Sequence, residues 1–226
     1  MSIADNLEKV HQLLPKHVRL IAISKTHGPE EIMTLYNGGH RYFGENKVQE
    51  LLSKIDELPD DIQWHMVGHL QSNKVKYIAP FIAMIHAVDS LKLLKVINKE
   101  AKKSNRKIPC LLQLHIADEE TKFGMSMEET RVLLESDAFK NMEHVQICGL
   151  MGMATFTDDH DKVRKEFRYL KSCFDSIKAH YFADQKAFKE ISMGMSDDFL
   201  IGIGEGSTMV RIGSAIFGER NYQAQP

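Results

Sequence analysis

A single (β/α)8 TIM barrel is the fold this sequence predicts, on three observations. Eight short apolar runs of strand character recur along the chain, separated by amphipathic or charged segments, which is the pattern of βα units around a parallel sheet. The 226 residues accommodate these units as one domain, 1–226, with no linker, low-complexity tract or internal repeat to divide them. The first run lacks the glycine-rich turn of a dinucleotide-binding sheet, which sets the open doubly wound alternative aside.

The elements follow in order. Apolar residues at helical spacing predict a leading helix over Ile3 to Leu14. The first strand lies in VRLIAISKT, Val18 to Thr26, whose near-continuous apolar character suits a parallel strand buried on both faces. A helix over Glu30 to Asn37 is closed by Gly38 and Gly39. RYFGE is the second strand, and the helix after it is predicted from Glu45 or Asn46 to Leu58, stopped by Pro59. QWHMVG, AMIHAVD, IPCLLQLHI, VQICGLMGMA, FKEISMGM and MVRIGSAIFG supply strands three to eight. The clearest later helices are Leu91 to Ser104 and Asp159 to Ala183. The latter places Val163, Phe167, Leu170, Phe174 and Ile177 on one face.

Composition excludes several function classes. A net charge of −2 argues against nucleic acid as a partner, and 43% hydrophobic residues suffice for a core. The amino terminus, MSIADNLEKVHQLL, mixes charges among its apolar residues, unlike a signal peptide or membrane span. A cytoplasmic address follows as the expectation. Cys110, Cys148 and Cys173 have no CxxC spacing and read as reduced, buried thiols.

A barrel draws attention to the carboxyl ends of its strands, where active sites of this fold lie. Lys25 closes the first strand. An amine partly buried there loses charge readily and could form a Schiff base, although an exposed lysine opening a loop fits the same residues. Asn46 follows the second strand and could cap a helix or contact a ligand. His65, His69, His86 and His115 lie near strand ends. A metal hydrolase is conceivable from them, but the carboxylate partners are missing and alternation points several of them apart, which favours structural histidines.

The last two strands carry the strongest chemistry. Ser192, Gly194, Ser196, Gly206, Ser207, Thr208, Gly213 and Ser214 cluster about their ends. Small residues let backbone amides approach an anion, and barrels of this kind often bind phosphate there, although ordinary turns use the same residue types. Arg211 within the eighth strand needs an acceptor, since an unpaired buried charge is expensive. A lysine on strand one, a phosphate cup and an inward arginine together fit pyridoxal 5'-phosphate, a phosphorylated aldehyde.

The chain resembles the family of small pyridoxal-phosphate homeostasis proteins, whose fold is similar to the barrel domain of alanine racemase. The resemblance rests on ISKT at Lys25, FGENKVQE from Phe43, WHMVGHLQSNKVK from Trp64, HAVDS from His86, TKFGM from Thr121, GLMGMA from Gly149, SMGMSDDF from Ser192 and GSTMVRIGSAIFGER from Gly206. It implies that Lys25 holds pyridoxal 5'-phosphate as an internal aldimine and that Ser192, Gly213 and Ser214 bind its phosphate. It further implies that Arg211 faces the pyridine nitrogen and that Asn46 lines the pocket. His27 and Gly28 depart from the usual Lys-Pro, His115 from a common Asn, and Ser214 from a common Thr.

Arg211 also bears on turnover. As an obligate donor opposite the pyridine nitrogen it keeps that nitrogen unprotonated and weakens the ring as an electron sink. The expectation is therefore a protein that binds, buffers or delivers the cofactor to apoenzymes, with little or no catalysis, and a monomer. The alternative is a pyridoxal-phosphate-dependent racemase or lyase. That needs a second acid/base opposite Lys25, for which Tyr42 and Tyr77 are the candidates.

Overall fold

A computed structural model describes residues 2–118 and 123–218. Eight parallel strands close on themselves: β1 (Arg19–Ile23), β2 (Tyr42–Glu45), β3 (Gln63–Met66), β4 (Met84–Val88), β5 (Ile108–Gln113), β6 (Val145–Met151), β7 (Glu190–Ser192) and β8 (Met209–Ile212). The seam pairs β1 with β8 in a register that sets Ile21 opposite Arg211 and Ala22 opposite Ile212. Thr121 and Lys122 of the TKFGM motif, and Glu219 and Arg220 of the last one, lie outside the described residues.

Alternation along the strands sorts their side chains into two sets. Leu20, Ala22, Phe43, Trp64, Met66, Ile85, Leu112, Leu150, Ile191 and Val210 join the main core against the surrounding helices. Ile21, Ile23 and Val67 form a separate cluster, as do Met84, Ala87, Leu111, Cys148, Met151 and Met209. These two clusters are the barrel's interior filling. Gly149 permits the bulge at the β5–β6 register shift, because its φ is 153° and a Cβ there would lie 1.7 Å from the Glu190 carbonyl oxygen.

The helices begin where side chains can cap them. α1 (Ile3–Leu13) has a capping box between Ser2 and Asp5. α2 (Pro29–Asn37) starts on a proline. α3 (Val48–Leu52), α4 (Val75–Ile78), α5 (Leu91–Lys103), α6 (Met127–Glu135), α7 (Asp137–Lys140), α8 (His160–Tyr181), α9 (Phe199–Gly204) and α10 (Ser214–Phe217) complete the described set. Val163, Phe167, Leu170, Phe174 and Ile177 of α8 are all buried, as their spacing predicts.

Strands five, six and seven are shorter than their predicted runs, and two elements differ more from the sequence expectation. The predicted helix from Glu45 or Asn46 to Leu58 is instead the single turn and a half of α3, followed by a 3-10 turn at Ile55–Glu57. Ser53 Oγ donates to the Glu50 carbonyl, and Lys54 leaves helical backbone (φ −127°, ψ −12°) to carry its amine inward. The eighth strand ends at Ile212 rather than Gly218. Ser214 to Phe217 coil into α10, which Asn6 ties to α1 by donating to the Ile216 carbonyl at 3.0 Å.

Candidate functional site

The chain leaves β1 through Ser24 and Lys25 and turns sharply at Thr26, whose φ is 68°. Side chains from two helices fix that turn. Lys54 Nζ donates to the carbonyls of Ser24 and His27, both at 3.0 Å. Ser24 Oγ donates to Glu45 Oε1 at 2.6 Å, and the Thr26 N–H donates to the Glu50 carboxylate. Glu31 accepts from the Gly28 N–H at 2.9 Å and meets His27 Nδ1 at 2.8 Å. Lys25 is thus a half-buried side chain on a backbone held at every neighbouring residue.

A cavity of about 490 Å³ opens at this end of the barrel, within the range of small-molecule sites. Five of the six sequence candidates line it: Lys25, Asn46, Arg211, Gly213 and Ser214. Asn46 does not cap α3, whose N-cap is Lys47. His27, His69, Gln113, Phe123, Phe156 and Ser196 extend the wall.

Ser192 is the exception. Its side chain is 0% exposed and lies inside the barrel, so the structure does not bring it to the cavity wall beside Gly213 and Ser214. Four residues on, Ser196 takes that place. Its Oγ accepts from the backbone N–H groups of Gly213 (3.3 Å) and Ala215 (3.4 Å), so two amides converge beside the cavity. The chain reaches this point because Gly194 turns it out of β7 with φ 96°.

Arg211 sits between the cavity and the barrel interior. Its Nη1 donates to the Ser192 carbonyl at 2.8 Å and to Ser192 Oγ at 2.7 Å, and Nη2 donates to the Gly152 carbonyl at 3.1 Å. Burial lowers its pKa to about 10, with the field of Asp198 opposing, so the guanidinium is charged at neutral pH. Ser192 Oγ also meets His86 Nδ1 at 2.9 Å, and His86 Nε2 meets His65 Nδ1 at 2.8 Å.

The histidines therefore divide. His65 and His86, expected to be structural, face each other across adjacent strands rather than apart. His69 stands at the mouth, 3.1 Å from Asp89 and stacked on Phe123 with ring centroids 4.3 Å apart. Among the described residues no group of three His, Cys, Asp or Glu side chains could hold a metal ion. Cys110, Cys148 and Cys173 are free and buried, as expected.

Residues 1–221 match the family model "Alanine racemase, N-terminal domain". The pyridoxal phosphate homeostasis protein of Aquifex aeolicus is 40% identical over 205 residues, covering 90% of this chain and 88% of that protein. The human protein of the same name is 39% identical over 220 residues, covering 92% and 78%. The chain belongs to the pyridoxal phosphate homeostasis family. The solved structure of PipY from Synechococcus elongatus PCC7942 with pyridoxal 5'-phosphate bound aligns at TM-score 0.87 and 32% identity over 96% of this chain and all of that one. Alanine racemase from Clostridium difficile 630 aligns at TM-score 0.72 and 17% identity, covering 98% of this chain and 57% of its own, which shows the shared barrel fold alone.

Within this homeostasis-family barrel the sequence reading passed over Lys54, Ser196 as distinct from Ser192, and the pairing of His65 with His86. A lysine at the end of a helical pattern gives no sign of turning inward. The histidine pair could have been found from the odd-even position of both residues in consecutive strands, had their register been known.

Proposed function

We propose that this protein binds pyridoxal 5'-phosphate in the cavity at the carboxyl ends of its strands and serves homeostasis of that cofactor. The observation that carries the reading is the chemistry of one wall: the Lys25 amine from β1, the amides around Gly213, Ser214 and Ser196, and the Arg211 guanidinium all border a single cavity. Those groups suit an aldehyde, a phosphate and a ring nitrogen respectively. Bound there, the cofactor supplies an aldehyde and an electron-withdrawing ring. Lys25 would hold the aldehyde end through its amine. Gly213, Ser214 and Ser196 hold the phosphate, and Asn46 borders the ring. Ser192 is reassigned from the phosphate to the support of Arg211.

The same wall favours binding over turnover. Arg211 offers the ring nitrogen only donors, and neither tyrosine weighed as a second acid/base borders the cavity. Tyr42 lies against Arg19 and His65, and Tyr77 is exposed on α4. Among the described residues no helix is long and apolar enough to cross a membrane. The role that fits binding without turnover is that of a cytoplasmic protein that buffers the cofactor or passes it to apoenzymes.

The test is to load the purified protein with pyridoxal 5'-phosphate, reduce it with borohydride and map the added mass by peptide analysis. The expected result is one equivalent on Lys25, with a visible absorption band that forms on loading. A colourless protein that takes up no cofactor overturns the reading.

A further inference from the structure

The hydrogen bonds inside the barrel set proton positions as well as contacts. Arg211 is only a donor, so the Ser192 hydroxyl accepts from it; His86 Nδ1 is that hydroxyl's one other partner among the described residues, so its own proton goes there. Neutral His86 then carries its proton on Nε2 and donates to His65 Nδ1, which places the proton of His65 on its own Nε2. Every link points away from the guanidinium. Of the five N–H groups of Arg211, the described residues take two from Nη1 and one from Nη2, which leaves two for an acceptor in the cavity that Arg211 lines.

We propose that His86, backed by His65, is a positioning residue for cofactor binding: through the Ser192 hydroxyl it fixes the rotation of the Arg211 guanidinium so that its two uncommitted N–H groups face the bound ring. The inference rests on the reading that pyridoxal 5'-phosphate occupies the cavity. Its physical basis is the chain of three buried polar groups, each with 3% exposure or less, set between apolar clusters of Ile, Val, Leu, Met, Ala and Cys and beside Arg19 and Tyr42. A barrel of this kind ordinarily fills such positions with branched apolar side chains. The polar chain is tolerated because its members satisfy one another. Burial holds both imidazoles neutral, with the pKa of His65 pushed down to about 3 and that of His86 well below the usual histidine range. Only a neutral His86 can accept from Ser192.

The experiment compares wild type with His86→Leu and His86→Asn in cofactor affinity and in the absorption and fluorescence spectra of the loaded protein, with thermal melts as the folding control. Asn places its carbonyl oxygen near the Nδ1 position, so it preserves the acceptor that Leu removes. The expected result is about tenfold weaker binding and a shifted band for His86→Leu, the scale of one lost hydrogen bond to a charged-group network, and recovery of most of both in His86→Asn. Where His86→Leu fails to fold, Ser192→Ala cuts the same link with a smaller change and is expected to move affinity and spectrum the same way. Nitrogen NMR of the wild type is expected to find His86 protonated on Nε2. Variants with wild-type affinity and spectrum, or a His86 proton on Nδ1, overturn the proposal while leaving the cofactor reading intact. A wild type that takes up no pyridoxal 5'-phosphate overturns the cofactor reading itself.

Discussion

Lys54 and Arg211 are both cations with 4% exposure, and both act beneath the rim of the same cavity, yet they are partnered differently. Lys54 lies 2.8 Å from Glu45 and 3.3 Å from Glu50, and donates to two backbone carbonyls. Arg211 donates to a hydroxyl and two backbone carbonyls, all neutral. A cation met by carboxylates is spent on structure. One met by neutral acceptors keeps its charge for whatever enters the cavity. The contrast assigns Lys54 to holding the Lys25 turn and Arg211 to facing a ligand.

The comparison breaks most readily at Lys54. Lys54→Met leaves the Glu45 carboxylate fully buried without its cation, and one of its own oxygens, Oε2, already has no hydrogen-bond partner among the described residues. An uncompensated buried charge of this kind costs about 3–5 kcal/mol. Arg211→Met strands only neutral acceptors and is expected to cost about 1–3 kcal/mol, while weakening cofactor binding more than Lys54→Met does. Urea unfolding of both variants and of Lys54→Met/Glu45→Leu, which removes the stranded charge and is expected to recover most of the loss, decides the matter. Equal losses for the two single variants would erase the distinction.

A second test uses pH. His65 and His86 are neutral in the folded barrel because burial holds their pKa values far below the usual range, whereas the unfolded chain protonates them near pH 6.5. Their contribution to stability is therefore fully present above pH 6.5 and is lost as pH falls below it, for His65 down to about 3. Each lowers stability by about 1.4 kcal/mol per pH unit in that window, or about 3 kcal/mol for the pair between pH 7 and 5.5. His40, held down to about 4 by burial at the other end of the barrel, acts in the same sense. Denaturant midpoints across this range are expected to fall with acid, and His86→Asn to flatten the slope by one histidine's share. An unchanged slope in that variant would mean His86 takes up a proton in the folded state as readily as in the unfolded chain, which its burial beside Ser192 forbids.

The sequence carried the barrel because its signal is local. An apolar run that ends in a lysine, or a helix face repeated at helical spacing, is decided within a few residues. Lys25, Asn46, Arg211, Gly213 and Ser214 were reachable in the same way, as unusual residues at strand ends. Ser192 and Ser196 were not separable, since which serine of SMGMS stays in the barrel depends on where Gly194 turns the chain. Lys54 was hidden for a different reason. Its partners at Ser24 and His27 lie 30 and 27 residues away, so nothing in the local pattern shows that Lys54 turns inward to meet them.

The smallest expected effect probes the turn that Lys54 holds. Thr26 sits at φ 68°, a left-handed conformation that costs a β-branched residue about 1–2 kcal/mol. Glycine removes that strain but loses about 0.5–1 kcal/mol through greater freedom in the unfolded chain. Thr26→Gly is therefore expected to stabilise by a few tenths to about 1 kcal/mol, and it retains the N–H that Glu50 accepts. The informative comparison is with Lys54→Met. If Lys54 is what forces the left-handed turn, its removal lets Thr26 relax, and the gain from Thr26→Gly shrinks in the Lys54→Met background by an amount a double-mutant cycle resolves. Strict additivity of the two substitutions would show that the turn is set by its own sequence and that the clamp beneath Lys25 serves only to neutralise Glu45.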